Sequence, residues 1–304
     1  MIKSITVTNY LGDSIKLELA RPELSGFVVE SITGLGPGKA TINTTAISTT
    51  DGSLYNSARA SNRNIVIGLK YLWKDSVEDV RQLSYKYFPL KKKLNLVIET
   101  DNRISQIDGY VESNDPNIFS NQEGSDISII CPYPFFYSAE GDGMQTTVFS
   151  GIEPMFEFPF SNESITENLL NMGEIQNKTE NVVVYNGDVE TGVVITIHAI
   201  GDATDVAIYN VLTREVMRID TTKLAAFTGE GITDGDDIII STIQGEKSVT
   251  LIRDGVTTNI LNCMDKNADW FILSKGDNIF TYTAATGATN LQFKIENRLV
   301  YEGV

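Results

Sequence analysis

One histidine, two cysteines and a scatter of carboxylates are what this 304-residue sequence offers to conventional active-site chemistry. His198 stands in Val193-Val194-Ile195-Thr196-Ile197-His198-Ala199-Ile200, where Val193, Ile195, Ile197 and Ala199 take one face of a strand. His198 shares the other face with Thr196. A catalytic triad or a two-histidine metal site cannot be assembled around a lone imidazole on conventional lines, so a surface or rim histidine is expected. Cys131 and Cys263 lie far apart in the chain without CxxC spacing. Free, buried thiols are expected, and neither a disulfide framework nor a thiolate metal site has support.

The carboxylates do no better. Asp234-Gly235-Asp236-Asp237 suggests Ca²⁺, but an EF-hand needs carboxylates at alternate positions and Glu at the twelfth, which is Gly245. A solvated acidic turn is the favoured reading, with an irregular Ca²⁺ site as the alternative. Asp188 and Glu190 could serve glycoside hydrolysis only as a carboxyl pair facing each other across a bond, and so acidic a β-protein offers many such pairs. Gly34-Leu35-Gly36-Pro37-Gly38-Lys39-Ala40 falls short of a phosphate loop: the spacing is wrong, Ala40 follows the lysine, and Pro37 removes a backbone N–H. A strand-linking turn is expected there. Trp73, Trp270 and the cluster Tyr133, Phe135, Phe136 and Tyr137 are the visible aromatic groups, and packing in cores and at the domain junction is their expected use. No catalytic, cofactor-binding or metal residues are assigned, no cofactor is expected, and the reading is not an enzyme.

Positioning elements are mostly strands. Period-two alternation marks Ile15–Leu19, Ile65–Tyr71, Leu94–Ile98 and Ile127–Cys131. Over 75–87, Val77, Val80, Leu83 and Tyr87 fall at helical spacing behind Asp75 or Ser76 as N-cap and ahead of Pro89, which predicts one amphipathic helix. Pro and Gly then crowd from 131 to 154. Beyond them nine short strands recur: 182–185, 192–200, 206–209, 215–219, 237–243, 248–253, 270–273, 278–283 and 291–296. Asn186-Gly187, Gln244-Gly245, Asp254-Gly255 and Lys275–Asn278 are read as hairpin turns between them. The chain is therefore read as mainly β: an N-terminal α+β domain with one helix over 1–138, a linker over 139–155, and an antiparallel β-sandwich over 156–304.

Charge narrows the function. Residues 1–150 hold 14 basic against 17 acidic groups and residues 151–304 hold 10 against 23, within a total of -16. Such a field repels phosphate backbones and anionic headgroups, so stable nucleic-acid binding and membrane docking are not expected. With no signal-peptide core and no 18-residue apolar run, a soluble cytoplasmic product is expected.

An ordered series of motifs carries a resemblance. Ile32-Thr33-Gly34-Leu35-Gly36, Ile42-Asn43-Thr44-Thr45, Asp51–Arg59 and Arg63–Ile67 are followed by Arg81 with Tyr87-Phe88, Gly109–Glu112, Asn117–Ser120 and Ile129–Phe136. In that order over about 110 residues the chain resembles the distal tail protein (Dit-like) family of tailed bacteriophages. The second half resembles the galectin-like or carbohydrate-module-like sandwich of many members, through Phe156-Glu157-Phe158, Asn186–Gly192, Lys247-Ser248 and Gly276-Asp277-Asn278.

The resemblance implies a structural hub. The first domain would form a hexameric ring, or belt, at the end of the tail tube, with DNA passing through its lumen. Partners would be further copies of the chain, the tail tube protein, and tail-associated, baseplate or receptor-binding proteins. Its place would be the virion tail tip, reached from the host cytoplasm during assembly. The family brings no catalytic residues. A carbohydrate-binding adhesin is the competing reading, and Tyr209, Trp270 and Tyr282 are the aromatics it would need exposed on one sheet face. A glycan-degrading enzyme is the other, and would need a carboxylate pair in a cleft.

Overall fold

The computed structural model describes residues 1–48, 51–73, 76–141, 143–153 and 174–304, in two compact units: Met1–Gly143 with Val300–Val304, and Met144–Leu299. In the first unit the chain runs through β1 (Ile2–Thr8), β2 (Ser14–Glu18), β3 (Phe27–Thr33), β4 (Ala40–Ala46) and β5 (Ser53–Ala60). It continues through β6 (Arg63–Tyr71), α1 (Val77–Tyr87), β7 (Lys93–Thr100), β8 (Ile104–Pro116), β9 (Gly124–Cys131) and β10 (Phe136–Ser138). The main sheet is antiparallel in the order β2-β1-β7-β8-β9-β6-β3. Its edges β2 and β3 touch beside the turn Pro22–Leu24, so the sheet curls towards closure. The inward positions Ile5, Leu17, Ile65, Ile67, Leu96, Ile98, Ile127 and Ile129 are fully buried, as period-two burial requires.

Helix α1 forms where expected. Ser76 is its N-cap and accepts from the Glu78 N–H, while Glu78 and Asp79 at one end and Lys86 at the other suit the helix dipole. Asp75 lies outside the described residues. Val77, Val80, Leu83 and Tyr87 form a half-buried face, and the wholly buried position is Ser84.

The second unit comprises β11 (Met144–Val148), β12 (Ser150–Glu153), β13 (Glu174–Asn177), β14 (Glu180–Tyr185), β15 (Thr191–Gly192), β16 (Val194–Ala199), β17 (Ala207–Asn210) and β18 (Glu215–Arg218). Then come α2 (Thr221–Thr228), β19 (Asp237–Ser241), β20 (Ser248–Arg253), β21 (Val256–Asn259), β22 (Ile272–Leu273), β23 (Gly276–Thr283) and β24 (Leu291–Arg298). Sheets β11-β24-β16-β19-β20-β21 and β14-β23-β17-β18 share one core, the expected antiparallel sandwich. All nine expected strands of this half are present. Helix α2 was not expected: Thr221 and Thr222 disfavour a helix, but the Asp220 N-cap and left-handed Gly229 close its two turns.

Gln244-Gly245 does join β19 to β20, and Asp254-Gly255, both at positive φ, close β20 onto β21 as a two-residue hairpin. The other two turns are corrected. β14 pairs with β23, and β15 with β22, so Asn186-Gly187 connects strands that do not pair, while Gly276–Asn278 form the start of β23, opposite Val183–Tyr185 of β14. Glycine is needed at 187 because a Cβ there would fall 2.0 Å from the Tyr185 hydroxyl.

The expected linker over 139–155 also differs. Pro132, Pro134, Gly141 and Gly143 confine the irregular stretch to residues before 144, and the β-branched Thr146, Thr147 and Val148 then pair with β24. Phe156-Glu157-Phe158 lies outside the described residues. Residues 300–304, assigned by sequence to the second domain, belong to the first unit: β25 (Val300–Tyr301) pairs with β10, Phe136 facing Tyr301 and Tyr137 facing Val300. The second unit is thus an insertion between two paired strands of the first. Because paired Cα atoms lie only about 5 Å apart, residues 1–138 joined to 299–304 by a short turn are expected to fold alone. Thermal denaturation checks this: the excised chain should melt cooperatively and above a 1–143 fragment, which lacks β25.

Candidate functional site

Of the residues singled out for chemistry, His198 and Asp237 come together. His198 lies at a half-exposed rim, its Nδ1 2.8 Å from Asp237 Oδ1. Cys131 and Cys263 are buried and unbridged. Burial pushes both thiols up, that of Cys131 to about 11, which suppresses the thiolate form. Asp188 meets Lys275 at 3.1 Å and Glu190 accepts from the Ser274 hydroxyl. Among the described residues no group of three His, Cys, Asp or Glu side chains converges as a metal site.

The acidic turn at 234–237 is corrected in one respect: Asp236 is not solvated but 1% exposed. Arg253 reaches it with Nε and Nη2, and Asp236 also accepts from the backbone N–H and hydroxyl of Thr233. The aromatics divide as well. Phe136 is buried, and Tyr133 stacks on Tyr137 with ring centres 5.2 Å apart. Trp270 packs against the sandwich core under Lys247. Trp73, in contrast to the expected packing, is 44% exposed beside Leu72. Tyr282 is buried and stacked on Phe293 at 3.8 Å, so it cannot join Tyr209 and Trp270 in an exposed platform.

What the fold does present is an arm. β4 and β5 form a separate two-stranded ribbon, and every described residue from Ala40 to Ala60 is exposed. Ile42, Leu54 and Tyr55 are each about 60% exposed. Neighbours such as Leu54 and Tyr55 point to opposite faces, so the ribbon carries apolar groups on both. It also leaves both backbone edges without a partner strand among the described residues. A ribbon of this kind is marginal by itself in water.

Among the described residues the arm is anchored at its root. The Ser61 N–H donates to the Lys39 carbonyl, and the Thr41 and Ser61 hydroxyls are 2.9 Å apart. Two residues further on, Arg63 is 4% exposed and donates to four backbone carbonyls: Gly34 and Gly36 of the root loop, Pro134, and Glu302 at 2.6 Å. Its guanidinium also lies 4.7 Å above the Phe136 ring. The glycine loop at 34–38 is therefore a strand-linking turn that aims carbonyls, not N–H groups, at its charged ligand. Gly34 holds φ +84°, and a Cβ there would strike the Asn64 carbonyl at 2.1 Å.

Residues 186–296, most of the sandwich, match the family described as siphovirus-type tail component, C-terminal domain. The chain shares its fold with the Dit protein of phage SPP1, at a TM-score of 0.64 and 11% identity, covering 97% of this chain and 98% of the other. A second solved structure, from the baseplate of phage p2 in its activated conformation with strontium, aligns over 97% of both chains at 15% identity and a TM-score of 0.48. No curated protein matches the sequence. The chain thus matches that domain family over residues 186–296 and shares its fold with SPP1 Dit.

Sequence reasoning found the residues of the arm only as family motifs and missed their exposure. The signal was present in Thr41, Asn43, Thr44, Thr45, Ser53, Asn56 and Ser57, a polar strand pair with no apolar face to bury.

Proposed function

We propose that the protein is the hub at the distal end of the tail tube, where six copies close a ring through their first units and the sandwiches engage baseplate or receptor-binding proteins. The tube protein is the partner on the other side of the ring. The role is structural and not catalytic, without stable nucleic-acid or membrane binding, in a virion tail tip assembled in the host cytoplasm. The likeness to SPP1 Dit supports this, since that protein is described as a paradigm of the hub adsorption apparatus of phages infecting Gram-positive bacteria. The galectin-like class of the sandwich is part of the same reading.

The observation that carries it is the arm, which has apolar groups on both faces and, among the described residues, neither a partner strand at its edges nor a packing surface. Head-to-tail contacts that close need such a protruding element on each copy to meet a different surface on the next. A stable contact buries about 1,200–2,000 Å² per neighbour pair, and a 21-residue arm supplies much of one side. The main sheet offers less, because its edges turn towards one another.

Leu54→Asp with Tyr55→Asp is therefore expected to abolish ring formation, and to change the stability of the single chain by no more than about 0.5 kcal/mol because both positions are exposed. Light scattering reads the first and thermal melting the second. Rings that persist at unchanged concentration dependence would remove the arm from the interface. The sugar-binding reading gains no observation, since its three aromatics share no exposed face.

A further inference from the structure

We propose that the segment Val300–Val304 is a strap that sets the direction of the β4–β5 arm. An arm whose described residues are all exposed receives no direction from packing, so its root alone orients it. The root has two strands of chain, Gly34–Lys39 entering and Ser61–Arg63 leaving, and the strap touches both. The Glu302 carbonyl accepts from Arg63 Nη2, and the Val304 N–H donates to the Leu35 carbonyl at 3.1 Å. Gly303 lies against the loop so closely that a Cβ would meet the Leu35 oxygen at 3.0 Å and the Gly36 backbone at 3.2–3.3 Å.

The strap is itself held down. β25 pairs with β10, Arg103 stacks on Tyr301 at 3.9 Å, and Arg103 Nη1 donates to the Gly303 carbonyl. In the chain it follows β24 after Leu299 alone. The last strand of the second unit is therefore covalently continuous with the strap, which meets the root of the arm through hydrogen bonds. The significance of the strap for assembly rests on the ring reading; its geometry does not.

Spin labels at Thr44→Cys on the arm and Glu78→Cys on α1, both exposed, test it by distance measurement on the full chain. The native Cys131 and Cys263 are buried, so labels go to the introduced thiols. The parent chain should give one narrow distance peak. Gly303→Val, which crowds Leu35 and Gly36, should lose that peak, as should Arg63→Lys, whose single ammonium cannot span four carbonyls. Glu302→Ala should keep it, because only the backbone carbonyl is used. If Arg63→Lys fails to melt cooperatively, Gly303→Val decides. A narrow peak at an unchanged distance in Gly303→Val overturns the strap. An arm freed by Gly303→Val in a chain that never forms rings keeps the strap and removes the ring reading, whereas rings built with an indifferent arm do the reverse.

Discussion

Replacing Arg63 with methionine is expected to cost the first unit about 4 kcal/mol, because four backbone acceptors lose a charged donor at once and a buried acceptor left unpaired costs about 1–3 kcal/mol. Methionine keeps most of the stem and its contact with Phe136, so the loss isolates the guanidinium. No carboxylate among the described residues pairs with Arg63. Burial lowers its pKa, and the nearby Cys131 thiol, itself pushed up to about 11 by burial, supplies no counter-charge at neutral pH. The four carbonyl dipoles and the ring face of Phe136 are what stabilise the cation. Urea denaturation measures the effect, and a loss below about 1 kcal/mol would show that water replaces the guanidinium at these carbonyls.

The second large effect belongs to the sandwich. Asp236→Ala should cost about 3–5 kcal/mol by leaving Arg253 facing the Gly231 carbonyl without its buried carboxylate. Burial by itself would raise the Asp236 carboxyl, but the hydrogen bonds from Arg253 and Thr233 outweigh it and hold the group below its ordinary range. A depressed native pKa means stability that is fully present above the unfolded value near about 3.9 and is lost as pH falls through the native one. The difference in melting temperature between the parent chain and Asp236→Asn should therefore be constant from pH 7 to about 5 and shrink below about 4. A difference that grows on acidification would reverse the assigned sign.

The strands were legible because burial on one face writes period two into the sequence, as at Val193, Ile195, Ile197 and Ala199. Helix α1 carried four apolar positions and a cap, whereas α2 spans two turns and buries only Thr221 and Leu224, too little to register as a period. The Asp236–Arg253 pair was within reach. The β19–β20 hairpin sets Asp237 opposite Ile252, which brings 236 and 253 face to face, but only once the turn length has fixed the register. The Arg63 clamp was not within reach. Its acceptors lie 27, 29, 71 and 239 residues away, and only the inserted position of the second unit brings Glu302 back to the first.

The most direct test is to weigh and image the purified full chain across a concentration series. Six copies of 33.5 kDa make a particle of roughly 200 kDa, and end-on views should show sixfold symmetry around an open lumen. A monomer at every concentration and on tube ends, or end-on views with another symmetry, would contradict the hub.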